Sequence, residues 1–181
     1  MDNKKWLILN YTLAKEQSTV RVSVWRKLKK AGSVSMGQST WALPTSDKHL
    51  KTFQKIFKEI TENNGSAYIV QADFINTDGN KEIETLFNEA RDEEYREFLE
   101  KCDDFFNEIE KETEKRNYTY IELEENEYEY NKLADWLDKI TTRDFFNAPL
   151  KESATEELQK CKQLLDQFSE QIYKLTDKQL M

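Results

Sequence analysis

Four arginines are the residues best suited to chemistry in this chain: Arg21, Arg26, Arg91 and Arg143. A guanidinium is a planar, permanently charged fork that matches tetrahedral oxyanions such as sulfate or phosphate. Arg21 and Arg26 lie five residues apart in "STVRVSVWRKLKKAG". Arg91 precedes Asp92 and Tyr95, and Arg143 precedes Asp144 in "RDFFNAP". Arginines converging on one cavity would make an anion site. The competing reading is structural: these Arg and Asp residues pair with one another and pin helices in place.

Other chemistry finds little support. His49 is the only histidine, and a Ser–His–Asp or Cys–His mechanism would have to use it, yet nothing in the sequence places Cys102 or Cys161 beside it. The two cysteines lack metal or CxxC spacing and fall on apolar helix faces, so they read as core residues. There is no GxxxxGK[ST] loop, no GxGxxG turn after a strand and no DxDxDG-type spacing. No catalytic residue, metal site or cofactor is expected. No apolar run reaches the roughly 20 residues that span a bilayer, and "MDNKKWLILNYT" lacks the features of a signal peptide, which points to the cytoplasm.

Charge divides the chain. Residues 1–75 carry 12 Lys/Arg against 6 Asp/Glu, while residues 76–181 carry 15 against 29. The first part is basic and the rest acidic. Such asymmetry marks a surface for an anionic partner, an attraction between the halves, or two solvated faces. The basic surface would consist of Arg26, Lys27, Lys29, Lys30, Lys48, Lys51, Lys55 and Lys58, and DNA is the partner it would suit.

These residues need elements to position them. "WLILNYT" reads as a strand apolar on both faces. Val20, Val24, Trp25 and Leu28 give a helical stripe, with Ser18 or Thr19 as its cap and Gly32 past its end. "SVSMGQSTWALP" reads as two short strands turning near Gly37. Leu50, Phe53, Phe57 and Ile60 mark a second helix that Gly65 stops. "SAYIVQADF" is the last strand, with Tyr68, Val70, Ala72 and Phe74 pointing inward. The order predicts an α+β fold: a ferredoxin-like βαββαβ module over 1–76, one face of its sheet covered by two helices, the other by later helices or another subunit. A helical region over 77–181 follows, with helices at 79–115, 121–141 and 150–176. The long helix is expected to bend or weaken near Glu93-Glu94, where its apolar stripe has a gap. Ser153 and Glu156 suggest a capping box at the start of the last helix.

The opening "WLILNYTLAKEQSTVRVSVWRKLKKAGSVSMGQSTWALP" resembles the N-terminal domain of ChrB-type chromate resistance proteins, with "LFNEARDEEYREFL" and "RDFFNAP" as two further blocks. The resemblance implies a regulatory or sensor-like role in chromate resistance without catalysis. It implies chromate or another oxyanion as ligand, with Trp25, Gln38, Tyr95 and Asp144 supporting the four arginines. It also implies a homodimer or a separate ChrB C-terminal domain as partner, because this chain looks like the N-terminal domain standing alone. The first half is also similar to the ferredoxin-like module of the CRISPR-associated Cas2 nucleases and to the middle domain of PaaX-type regulators. Where those nucleases place a metal-binding aspartate, this chain has Asn10-Tyr11-Thr12. The alternatives are a nuclease relative that has lost its metal carboxylate, or a protein-interaction module.

Overall fold

The computed structural model describes residues 5–76 and 78–179. It is an α+β structure with five α-helices and a four-stranded antiparallel sheet. The elements in chain order are β1 (Trp6–Thr12), α1 (Ser18–Lys30), β2 (Val34–Gly37), β3 (Thr40–Pro44), α2 (Asp47–Glu62), β4 (Ser66–Ala72), α3 (Gly79–Glu114), α4 (Tyr120–Thr141) and α5 (Lys151–Gln179). Among the described residues no helix is long and apolar enough to cross a membrane. The chain divides into two compact units. One holds the described residues through Ala90 together with Arg143–Phe146; the other holds Arg91–Thr142 and the described residues from Asn147 onward.

In the first unit the strands lie in the order β2-β3-β1-β4. Cross-strand partners share a face of a sheet, so the register sorts the side chains. Leu7 and Leu9 on β1 pair with Leu43 and Trp41 on β3, and Leu9 and Tyr11 pair with Ile69 and Ala67 on β4. This face is buried, together with Val24 and Leu28 of α1 and Phe53, Ile56 and Ile60 of α2. The opposite face carries Trp6, Ile8 and Asn10 of β1 with Ala42 and Thr40 of β3 and Ala72, Val70 and Tyr68 of β4.

That register overturns the inward side expected for β4. Ala67 and Ile69 point into the core, while Tyr68 and Val70 are 68% and 51% exposed. Both sets alternate, and the strand's own sequence offers two apolar faces; pairing with β1 decides between them. Two helices are rotated from expectation for a similar reason. In α2 Ile56 is buried and Phe57 is at the surface; in α1 Trp25 is 48% exposed beside the buried Val24. In α2 the buried face runs through Phe53, Ile56 and Ile60, so Ile56 takes the inward place expected of Phe57.

Capping also differs. The residue before α1 is Gln17, whose side chain makes no cap: its amide oxygen accepts from the Ala14 N–H, and its amide nitrogen donates to the Asn63 carbonyl. At the end of α2 the left-handed residue is Asn64 (φ 58°), not Gly65. Gly65 serves close approach instead, since a Cβ there would sit 2.7 Å from Ile60 Cγ2 and 2.9 Å from the Thr12 carbonyl oxygen. Gly32 does take the left-handed position after α1 (φ +79°). In addition it touches the corner at Arg143–Phe146: a Cβ on Gly32 would lie 2.9 Å from Arg143 Cβ and 3.3 Å from Phe145 Cε2.

The corner supplies aromatic cover for one end of the sheet's second face. Trp6 stacks on Phe87 of α3 with ring centres 5.8 Å apart, and Phe146 closes on both, 5.8 Å from Trp6 and 5.3 Å from Phe87. Phe145 sets its edge against Phe87 and His49. The Trp6 indole N–H donates to Asn80 Oδ1, 2.6 Å away, so burying the ring leaves no orphaned donor.

In the second unit α3 is helical without interruption through Glu93 and Glu94. The expected weak point is filled by polar residues: Arg91 and Tyr95 are fully buried and carry the stripe on to Phe98, Cys102, Phe105 and Ile109. Leu123, Leu133, Leu137 and Ile140 of α4, and Ala154, Cys161, Leu165, Phe168 and Ile172 of α5, complete this core. Leu175, expected in the seam, is at the surface. The α5 helix has already begun at Lys151, so Ser153 lies inside its first turn and is not its cap. Asp92 does related work from a distance, its Oδ1 accepting the Leu150 N–H at 3.0 Å at the head of α5.

Gly32 therefore answers two constraints at once. A Gly32→Ala variant is expected to lose about 1–3 kcal/mol of folding stability, from the left-handed backbone and from contact with Arg143 and Phe145. Urea unfolding checks this, and an unchanged midpoint would refute the corner's docking on Gly32.

Candidate functional site

The exposed surfaces of α1 and α2 carry the eight cations singled out by their spacing: Arg26, Lys27, Lys29, Lys30, Lys48, Lys51, Lys55 and Lys58 are all exposed. Their placement follows from amphipathic packing. Val24 and Leu28 turn one side of α1 inward, and Phe53, Ile56 and Ile60 do so for α2. What remains outside is basic. A shallow groove of about 550 Å³ runs along the outer side of α1, lined by Ser18, Thr19, Val22, Arg26, Lys27 and Lys30 among others.

Two of the eight cations are occupied. The Glu59 carboxylate spans the two helices, accepting from Ser23 Oγ at 2.6 Å through one oxygen and from Lys27 Nζ at 2.6 Å through the other. Lys58 lies 3.6 Å from Glu62. Among the described residues, Arg26, Lys29, Lys30, Lys48, Lys51 and Lys55 have no acidic side chain within ion-pair distance. Burial alone would raise the Glu59 pKa, but the hydrogen bonds from Lys27 and Ser23 and the charge of Lys27 outweigh it and leave it lowered.

The four arginines have separate settings. Arg21 donates to the Ala14 carbonyl at 2.7 Å and so holds the loop before α1. Arg26 stands exposed in the middle of α1. Arg143 lies against Gly32, past the far end of α1. Along a helix rising 1.5 Å per residue, Arg21 and Gly32 are roughly 16 Å apart. Those three arginines of the first unit are therefore spread along α1 and do not converge. Arg91, in the second unit, is buried with its Nη2 3.1 Å from Glu94 Oε1. Of the supporting residues, Trp25 and Gln38 are exposed in the first unit, and Asp144 is buried there. Tyr95 is buried in the second.

His49 is spent structurally, its Nδ1 2.7 Å from the Pro44 carbonyl oxygen and its ring against Phe145. Cys102 and Cys161, so distant in sequence, meet in the core of the second unit as free thiols. Their mutual hydrogen bond, with burial, pushes the Cys102 thiol up. At Cys102 both effects favour unreactive, protonated sulfur, while the same contact lowers the Cys161 thiol. Glu59 and Ser23 went unnoticed in the sequence. Each is ordinary in its own helix, and 36 positions separate them.

The family described as Protein ChrB, N-terminal, matches residues 21–179. The chain belongs to this family, the match running from α1 to the end of α5. No curated protein and no solved structure matches the sequence.

The Glu59 bridge gives a pH dependence of defined sign. A carboxylate whose folded pKa is lowered stabilises the fold above its unfolded pKa, about 4.3 for Glu, and that stabilisation is lost as pH falls through the folded value. Replacing Glu59 by Gln should cost on the order of 1 kcal/mol at neutral pH and little at about pH 2.5. Urea unfolding at the two pH values measures the difference, and an equal loss at both would contradict the bridge.

Proposed function

We propose that this chain is a non-enzymatic regulatory protein linked to chromate resistance, and that its α1–α2 face engages DNA. The family membership supports the link to chromate resistance. The observation that carries the DNA reading is the group of six exposed cations without acidic partners, spread over two adjacent helices. A phosphate backbone is itself an extended row of charges, and such a surface suits it better than it suits one small ion.

The element order βαββαβ with strand order β2-β3-β1-β4 supports reading the first unit as ferredoxin-like. In that arrangement α1 and α2 lie side by side on one face of the sheet. Two parallel rows of lysines then present a broad basic surface, while the acidic residues collect in the rest of the chain. A net charge of −8 makes the local basic face a selective feature, because phosphate is attracted there and repelled elsewhere.

The reading is tested by fluorescence anisotropy with a labelled duplex from the chain's own upstream region, over about 50–300 mM salt. Binding should weaken with salt, with a log–log slope that reports the number of phosphates contacted. A Lys51→Gln, Lys55→Gln variant should bind more weakly and lower that slope by about 0.9 for each contact removed. Absence of binding at the lowest salt, or an unchanged slope in the variant, would overturn the proposal.

A further inference from the structure

We propose that α1 is a base-reading helix: its outer strip enters the major groove of DNA, where Arg26 reads a guanine and Val22 a thymine methyl group. This role rests on the α1–α2 face engaging DNA, and it specifies what that face recognises. Seven of the eight cations there are lysines, and Arg26 is the one arginine. An ammonium is a point charge that suits a phosphate, whereas a guanidinium is a planar fork that fits the O6 and N7 acceptors of guanine together. Arg26 is exposed, and among the described residues its guanidinium has no hydrogen-bond or ion-pair partner. The fork therefore stands free, while that of Arg21 is spent on the Ala14 carbonyl.

The strip around Arg26 has the composition of a reading surface. Its groove is lined by Ser18, Thr19 and Val22 on the N-terminal side of Arg26 and by Lys30 beyond it. Val22 is 44% exposed although it is aliphatic. Val24 and Leu28 fill the inward side of α1, and Ser23 and Lys27 are drawn to Glu59 of α2, so packing makes no use of Val22. Hydroxyls, an aliphatic group and a fork are side chains that discriminate base edges in the major groove. Their spacing also suits the bases. Along the helix axis Val22 lies about 6 Å and Thr19 about 10 Å from Arg26, roughly two and three base-pair steps of about 3.4 Å. The major groove, about 12 Å wide, admits one helix. Its neighbour then lies beside the groove wall, and α2 carries Lys48, Lys51, Lys55 and Lys58 in one row at helical spacing. Adjacent helices pack about 8–10 Å apart, which sets this row against the phosphates that border the groove.

The test is selection by the full chain from duplexes with a randomised centre, sequenced after binding at about 100 mM salt. Wild type should enrich a motif of roughly three to four base pairs holding a guanine and, about two steps away, a thymine. Arg26→Lys keeps the charge and removes the fork, so it should lower the preference for that guanine about tenfold while leaving the salt slope unchanged. Replacing the selected thymine by uracil, which lacks only the methyl group, should weaken wild-type binding about fourfold and Val22→Ser binding much less. Both side chains are exposed, so each variant should keep the wild-type circular dichroism and melting temperature. Lys55→Gln should instead weaken binding to every sequence alike. Salt-dependent binding with no enriched motif would overturn base reading and leave the DNA-binding role of the face standing. A guanine preference unchanged in Arg26→Lys, or wild-type indifference to uracil, would do the same. Absence of binding at the lowest salt would overturn both.

Discussion

The first unit depends on how the Trp6 end of its sheet is covered. Trp6 is nearly fully buried on the strand face that α1 and α2 do not cover. Its ring is enclosed by Phe87 from the start of α3 and Phe146 from the corner between α4 and α5. Burying an aromatic side chain is worth about 1.5–3 kcal/mol, and each well-set aromatic pair adds about 0.5–1.5 kcal/mol. Residues remote in sequence are thereby committed to one cluster. Gly32 extends the arrangement, because Arg143 and Phe145 rest where a larger side chain would stand.

With one end of the sheet closed, the remaining surfaces divide by charge. The outer sides of α1 and α2 are basic, and Glu59 acts within them as a clasp between the helices. The clasp holds Lys27 while leaving its neighbours without acidic partners. The open half of the sheet is neutral. One small α/β unit thus has a basic surface on its helices and an uncharged stretch on its sheet, with little chemical overlap between them.

Much of this was legible in the sequence. The elements fall close to their expected places because hydrophobic periodicity and turn residues act locally. The helix over 79–114 and the buried Phe98, Cys102, Phe105 and Ile109 follow from spacing alone. What was illegible depends on partners. The faces of Tyr68 and Val70 turn on which strand lies alongside. The exposure of Trp25 and Phe57 depends on which side of each helix packs on the sheet. Arg91 and Tyr95 looked like a gap, since a buried polar pair interrupts an apolar stripe without interrupting the helix. The meeting of Cys102 with Cys161 and the reach of Asp92 to Leu150 are long-range, and no local pattern announces them. The candidate basic surface was visible as lysine spacing; the clasp inside it was not.

The interleaving of the two units bears on synthesis at the ribosome. The strands and both covering helices have emerged by residue 90, yet Phe145 and Phe146 are still to come. At about 5–20 residues per second, the nascent sheet waits roughly 3–10 seconds with Trp6 incompletely covered while Arg91–Thr142 is made. During that interval an aromatic surface and the β4 edge are exposed together, the combination that invites wrong pairing. A fold finished by a late four-residue segment is thus one whose N-terminal unit cannot be completed in the order in which it is translated.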